Sequence, residues 1–213
     1  ASTVFIKYGS HSCTGTVWAP HLILTAAHCA EEAPEKITVE FKNAHKKYRI
    51  SDKYVHDEWA PMSPAIRRHD LALLYFKEAL PKGYRPAERL QDFSVLKIGM
   101  PAKLVGYGIN NEILKLGSGT LRETTVTIAD LGFSYNAVLF DHTKGSGSCY
   151  GDSGGPAFYM KNGRPLIFAV TSAVISRTNG PTKSCKERSL YIRLDEYQDF
   201  LADAEEALLE NVR

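Results

Sequence analysis

The stretch Gly151-Asp152-Ser153-Gly154-Gly155-Pro156 has the clearest chemical potential in the chain. A serine sits among glycines, with an aspartate before it and a proline close behind. Glycine admits backbone conformations that a Cβ forbids and lets another main chain approach closely. Such a turn can aim two successive N–H groups at one point and hold a developing oxyanion there, beside the Ser153 hydroxyl. The same residue types also build ordinary surface turns, and the hexapeptide alone does not choose between these uses. Serine becomes a nucleophile when a base takes its proton. The usual base is a histidine that a carboxylate orients. Among the seven histidines, only His28 lies in a run of small residues beside a cysteine, Leu24-Thr25-Ala26-Ala27-His28-Cys29. His11, His21, His45 and His142 read as structural or solvent-facing. The carboxylate candidate is Asp70, which opens the apolar run Leu71–Tyr75. Those neighbours can bury it while its head faces a cleft, where a low dielectric strengthens its action on an imidazolium. Standing alone, Asp70 would read as a strand-edge aspartate in water.

The chain that must position these groups has 213 residues and is 44% hydrophobic, enough for one sizeable core or two small ones sharing an interface. Its net charge is +2, with both signs interspersed, which gives no footprint for nucleic acid or an anionic membrane. No apolar run approaches the ~20 residues of a membrane helix. No signal peptide opens at Ala1, so the chain reads as a mature or trimmed form. The four cysteines are Cys13, Cys29, Cys149 and Cys185. An even count without a CxxC pair disfavours zinc and suits two disulfides, hence an oxidising compartment and a secreted or periplasmic protein. Four reduced thiols in a cytosolic protein are the competing reading.

Short strand-like runs recur between Gly, Pro, Asn or charged clusters: Thr3–Ile6, Thr14–Trp18, Leu22–Thr25, Ile37–Phe41, Leu71–Tyr75, Ala102–Gly106, Thr124–Ile128, Ala157–Met160, Leu166–Thr171 and Leu190–Leu194. This pattern predicts an all-β chain, an antiparallel barrel or sandwich. Asn162-Gly163 reads as a hairpin turn. Lys77–Gln91, with two prolines and a glycine, reads as a connection between halves, and Tyr54–Arg68, with Pro61 and Pro64, as a loop. From Asp195 to Val212, Tyr197, Phe200, Leu201, Ala204, Leu208 and Leu209 recur at helical spacing, which predicts one amphipathic helix docked on the body.

Thr25-Ala26-Ala27-His28-Cys29, Asp70-Leu71-Ala72-Leu73-Leu74 and Gly151–Pro156, in that order, resemble the chymotrypsin-like (trypsin/elastase) serine proteases. The likeness extends over nearly the whole chain. Lys103–Gly108 resembles the strand and Gly-aromatic-Gly turn that open the family's second half, and Leu190–Leu194 with the last helix resembles its closing elements. The resemblance implies two six-stranded antiparallel β-barrels packed together with a C-terminal α-helix. They would form a single peptidase domain over 1–213, with a first barrel over about 1–85, a second over about 95–194 and the helix over about 195–212. It implies Ser153 as nucleophile, His28 as general base and then acid, Asp70 as the group that fixes the histidine tautomer, and the N–H groups of Gly151 and Ser153 as oxyanion hole. No metal or organic cofactor is implied.

The resemblance also implies the disulfides Cys13–Cys29 and Cys149–Cys185. It places Gly147, Ser148, Tyr150, Ser172, Ala173, Val174 and Ser189 around the substrate pocket. Gly147 stands where trypsin-like members carry a pocket-floor aspartate, so cleavage after Lys or Arg loses its counter-ion. Val174 stands where trypsin and chymotrypsin carry a glycine, and a valine at that mouth resembles elastase, which implies a preference for small or medium apolar side chains at P1. Arg177, Lys183, Lys186 or Arg188 offers a contrary reading, selection of acidic residues, set against plain solvated loop charge. Asp152 corresponds to the partner of the family's activation ion pair. The Ile-Val-Gly-Gly-like terminus that supplies its ammonium has no counterpart at Ala1, so another cation, a chain that has lost its start, or a zymogen-like form is expected. The implied partners are protein or peptide substrates and a protein inhibitor, with no nucleic acid and no membrane, on a monomer. The alternative function is a catalytically silent or zymogen-like binding protein on the protease fold.

Overall fold

The computed structural model describes residues 1–60, 69–134, 136–178 and 184–210, so Pro61, Pro64 and Lys183 lie outside the described residues. The strands of the first half are β1 (Thr3–Tyr8), β2 (His11–Ala19), β3 (Leu22–Thr25), β4 (Ile37–Phe41), β5 (Lys46–Arg49), β6 (Asp52–Val55) and β7 (Ala72–Tyr75). They form one antiparallel sheet in the order β5-β4-β1-β2-β3-β7-β6. Its edge strands, β5 and β6, are consecutive in the chain and separated only by Ile50 and Ser51. The Ile50 N–H donates to the Ile37 carbonyl and the Ser51 N–H to the Tyr75 carbonyl, so one stretch of chain is bonded to both rims.

The second half contains β8 (Glu88–Arg89), β9 (Pro101–Gly106), β10 (Arg122–Phe133), β11 (Ala137–Asp141), β12 (Pro156–Lys161), β13 (Arg164–Ile175) and β14 (Arg188–Arg193). Six of these run β12-β9-β10-β11-β14-β13, and β12 pairs back onto β13 to close the ring. The implied pair of six-stranded barrels thus gains a strand in each sheet. In the first, the rim strand is divided at Ile50–Ser51. In the second, β8 joins β13 in parallel from the segment connecting the halves. At the β12–β13 hairpin, Asn162 and Gly163 both take positive φ, 51° and 80°, as a two-residue hairpin turn requires.

Period-two patterning explains how the halves join. In β3, Leu22 and Leu24 face the core shared between the halves, and Ile23 faces the first barrel's interior. Around β7, Leu71, Leu73 and Tyr75 face the shared core while Ala72, Leu74 and Phe76 point inward. In β11, Ala137 and Leu139 face the shared core and Val138 and Phe140 the second interior. Such strands are buried on both faces and read as continuous apolar runs. A 3₁₀ turn at Asp195–Tyr197 leads into helix α1 (Gln198–Glu210), which buries Leu201, Ala204 and Leu208 against the same seam. The helix expected over 195–212 therefore begins as a 3₁₀ turn, and positions 211–213 are outside the described residues. Among the described residues no helix is long and apolar enough to cross a membrane. Disulfides join Cys13 to Cys29 and Cys149 to Cys185, the pairing the resemblance implies.

Candidate active site

His28 stands in a 3₁₀ turn, Ala27–Cys29, just after β3. The Cys29 and Ala30 N–H groups donate to the Ala26 and Ala27 carbonyls, and the Cys13 bridge ties the turn to β2. Ala26, Ala27 and Cys29 are fully buried, whereas the His28 side chain is 18% exposed. Gly154 packs against this run, which leaves no room for a side chain at position 154. A Cβ on Gly154 would lie 2.0 Å from Thr25 Oγ1 and 2.9 Å from Ala26 N.

Asp70 is fully buried at the entrance to β7. The His28 N–H donates to its Oδ1 at 3.0 Å, and His28 Nδ1 lies 2.8 Å from Oδ2. The Ser172 hydroxyl also donates to Oδ2. An ionised carboxylate only accepts, so Nδ1 carries the imidazole proton and the Nε2 lone pair is left for another donor. Burial by itself would raise the Asp70 carboxyl. The electrostatic pull of the adjacent His28 and the hydrogen bonds from His28 and Ser172 outweigh it and hold the group below its ordinary value. The backbone aims this carboxylate through a tight reversal. His69 takes φ 57°, and the Leu71 N–H donates across Asp70 to the His69 carbonyl at 2.8 Å. The ring of Trp59, for which the sequence carries no signal, has its centroid 6.4 Å from that of His28.

Ser153 is held from both halves. Its carbonyl accepts from the Thr14 N–H of β2 at 2.8 Å and lies 3.7 Å from Cys29 Sγ, one residue past His28. The Thr14 hydroxyl donates to the Gly151 carbonyl at 2.9 Å. Within the turn, the Asp152, Gly154 and Gly155 N–H groups donate to the Cys149, Thr171 and Asp152 carbonyls. Among the described residues, the N–H groups of Gly151 and Ser153 donate to no protein acceptor. Gly151, at φ 93°, and Gly154, at φ 80°, take conformations that side chains rarely adopt.

The Asp152 carboxylate points the other way. It accepts from the Gly108 N–H and the Cys149 N–H, both at 2.8 Å. A Cβ on Gly106 would come within 2.0 Å of this carboxylate and one on Gly108 within 2.5 Å, which accounts for the Gly106-Tyr107-Gly108 turn. Burial raises its pKa from 3.8 to about 6, against the two N–H donors and the charge of Arg122. Arg122 is the cation that acts on it, but it does so at a distance. Its guanidinium is spent on the carbonyls of Gly108, Gly117 and Thr120, and no cation among the described residues forms an ion pair with Asp152. A cleft of about 320 Å³ opens beside this carboxylate, lined by Arg122, Glu112, Gly147 and Lys186 among others.

Around the expected pocket, Val174 and Ser189 are paired across β13 and β14. Ser148 and Ser189 are buried, Ala173 and Val174 half-buried, and Tyr150 is 46% exposed at the rim. The Ser172 side chain is turned to Asp70. His142, which reads as structural from sequence, is brought into this group. It is 2% exposed, with Nε2 2.8 Å from Ser189 Oγ and Nδ1 3.4 Å from the Cys185 carbonyl. A Cβ on Gly147 would fall 1.9 Å from its Nδ1, so the imidazole covers Gly147. Burial holds His142 below the ordinary histidine pKa. The ring is therefore neutral, with Nδ1–H donating to Cys185 and Nε2 accepting from the Ser189 hydroxyl. The signal for it is its place directly after β11, where Phe140 pairs with Ser189 of β14. Of the cations named for the acidic reading, Arg188 opens β14 and donates to the Arg177 carbonyl, and Lys186 lines the Asp152 cleft. Cys13, His28 and Cys29 are close enough for a metal, but both sulfurs are consumed by the disulfide.

The sequence profile of the family described as Trypsin matches residues 1–201. Human granzyme M is 26% identical over 169 residues, which cover 70% of this chain and 65% of that relative, so the match spans just under two thirds of its length.

Proposed function

The chain belongs to the trypsin family, and from that membership we propose that it is a serine endopeptidase working through an acyl-enzyme formed on Ser153. His28 takes the Ser153 proton through Nε2 and returns it to the leaving amine. Asp70 keeps the imidazole in the Nδ1–H tautomer and stabilises it when charged. The Gly151 and Ser153 N–H groups receive the oxyanion, each worth roughly 3–4 kcal/mol in the transition state. The observation that carries this reading is the 2.8 Å contact of His28 Nδ1 with the fully buried Asp70. The two unspent N–H groups beside Ser153 support it.

For the substrate, we read a shallow pocket. Gly147 supplies no counter-ion, Val174 narrows the mouth, and the neutral His142 ring occupies the depth between Gly147 and Ser189. Small or medium apolar P1 residues fit it, and Lys or Arg does not. The peptidase unit spans 1–213 as one domain and acts as a monomer on proteins or peptides. Its two disulfides support a secreted or periplasmic location. A fluorophosphonate probe tests the reading. It labels the wild-type protein at one serine, and Ser153→Ala abolishes the label. A folded wild type that never reacts would refute the assignment of Ser153.

A further inference from the structure

The turn 56–59 and His69, the residue directly before Asp70, bring two imidazoles and a carboxylate together. His69 Nε2 lies 3.3 Å from Glu58 Oε2. One ring nitrogen of His56 completes a set in which all three candidate ligand atoms lie within 4.8 Å of one another. The rings of His56 and His69 have their centroids 4.6 Å apart at an interplanar angle of 32°. None of these residues has a part in the hydrolytic chemistry above.

We propose that His56, Glu58 and His69 form a binding site for a zinc-class divalent cation. Zinc lies about 2.0–2.2 Å from imidazole nitrogen and carboxylate oxygen, so two ligands of a tetrahedral site are about 3.3–3.5 Å apart. The His69–Glu58 separation already has that value. Imidazole pairs select zinc, copper or nickel over calcium and magnesium, which prefer oxygen alone.

The surroundings brace the ligands as outer-shell groups do. Tyr197 Oη lies 3.2 Å from His69 Nδ1, which turns Nε2 toward Glu58. The His69 N–H and the Asn136 amide both reach the same hydroxyl. His69 is held at φ 57°. His56 is packed between Phe200 and Tyr197 of the C-terminal element, with centroids 4.6 and 5.4 Å away, and its N–H donates to the Leu71 carbonyl. Glu58 is 72% exposed and gives an ion a path from solvent. The competing bond is weak: the Glu58 N–H donates to His56 Nδ1 at 3.2 Å in an exposed setting, and a cation displaces it or takes the other nitrogen. A bound ion would cross-link the turn 56–59, which carries Trp59 toward His28, to the residue directly before Asp70.

Calorimetric titration with zinc chloride tests the site without requiring hydrolysis, so its result is separate from the fate of the protease reading. One ion binds per chain in the wild type and in His28→Ala. Glu58→Gln and His69→Asn each weaken binding at least about tenfold, as lost ligation demands. Asparagine suits the left-handed backbone at position 69. Should His69→Asn fail to fold by circular dichroism, Glu58→Gln decides, since its side chain is exposed and keeps its size. The proposal is overturned if the wild type binds no zinc, if both ligand variants bind as the wild type does, or if binding disappears in His28→Ala, which would put the ion on the catalytic imidazole.

Discussion

His142→Ala is the most direct probe of how the pocket reads substrate. The imidazole lies where a Cβ on Gly147 would meet it at 1.9 Å, and it is 2% exposed, so its removal deepens the pocket floor rather than clearing surface. Five ring atoms leave, making room for about three carbon atoms of a longer P1 side chain once the walls relax. At about 0.8 kcal/mol per buried methylene, three amount to about 2.4 kcal/mol. Since 1.36 kcal/mol is tenfold in rate, the preference for Leu or Phe over Ala at P1 rises roughly thirtyfold to hundredfold in kcat/KM. The Ser189 hydroxyl loses its acceptor, which lowers stability by about 1–3 kcal/mol without touching the specificity ratio. The assay compares kcat/KM for a series of peptide anilides that differ only at P1, with active sites counted by fluorophosphonate titration. His142→Gln is the control, because it keeps most of the volume and the ratio. A folded His142→Ala enzyme with the wild-type P1 ratio would refute the argument that this ring sets pocket depth.

Other outcomes follow from the same geometry. Asp70→Asn presents an amide N–H to His28 Nδ1, which moves the imidazole proton to Nε2 and blocks acceptance from Ser153. Steady-state kinetics should give a kcat lower by about 10³–10⁴ in a folded protein, and a kcat within a factor of ten of wild type would remove Asp70 from the mechanism. Asp152 keeps its proton up to about pH 6 in the folded chain and releases it near 3.8 when unfolded. Its folded pKa is raised, so the unfolded state is the first to lose the proton as pH rises, and folding is penalised from about pH 4 to 6. Relative to Asp152→Asn, which has no such titration, the wild type should lose about 3 kcal/mol across that window. Urea denaturation at stepped pH measures it, and a flat difference would show that the carboxylate is not shielded as described.

What could be read from the chain alone depended on how local the signal was. Ser153 among its glycines, His28 among small residues and Asp70 ahead of an apolar strand each carry their chemistry in their immediate neighbours. The Asn162-Gly163 turn and the apolar face of α1 are equally local. β5 carries little sequence signal because Lys46-Lys47-Tyr48-Arg49 lies on an outer rim, where charge masks alternation. β11 has no polar face to alternate, since Ala137 through Phe140 are buried on both sides. His142 and Trp59 gain their places only when β11 meets β14 and when the turn 56–59 folds back toward β3, contacts that no short window of sequence contains.

The proposed base and acid, His28 and Asp70, come from one barrel and the proposed nucleophile, Ser153, from the other, with Leu24, Leu73, Val170 and Leu190 in the seam. Thr14 spans that boundary with its amide on the Ser153 carbonyl and its hydroxyl on the Gly151 carbonyl. Neither barrel can therefore keep a working half of the relay after the other has melted. Heat should silence turnover and dissolve the tertiary structure in a single step, leaving no partially competent species to digest its neighbours.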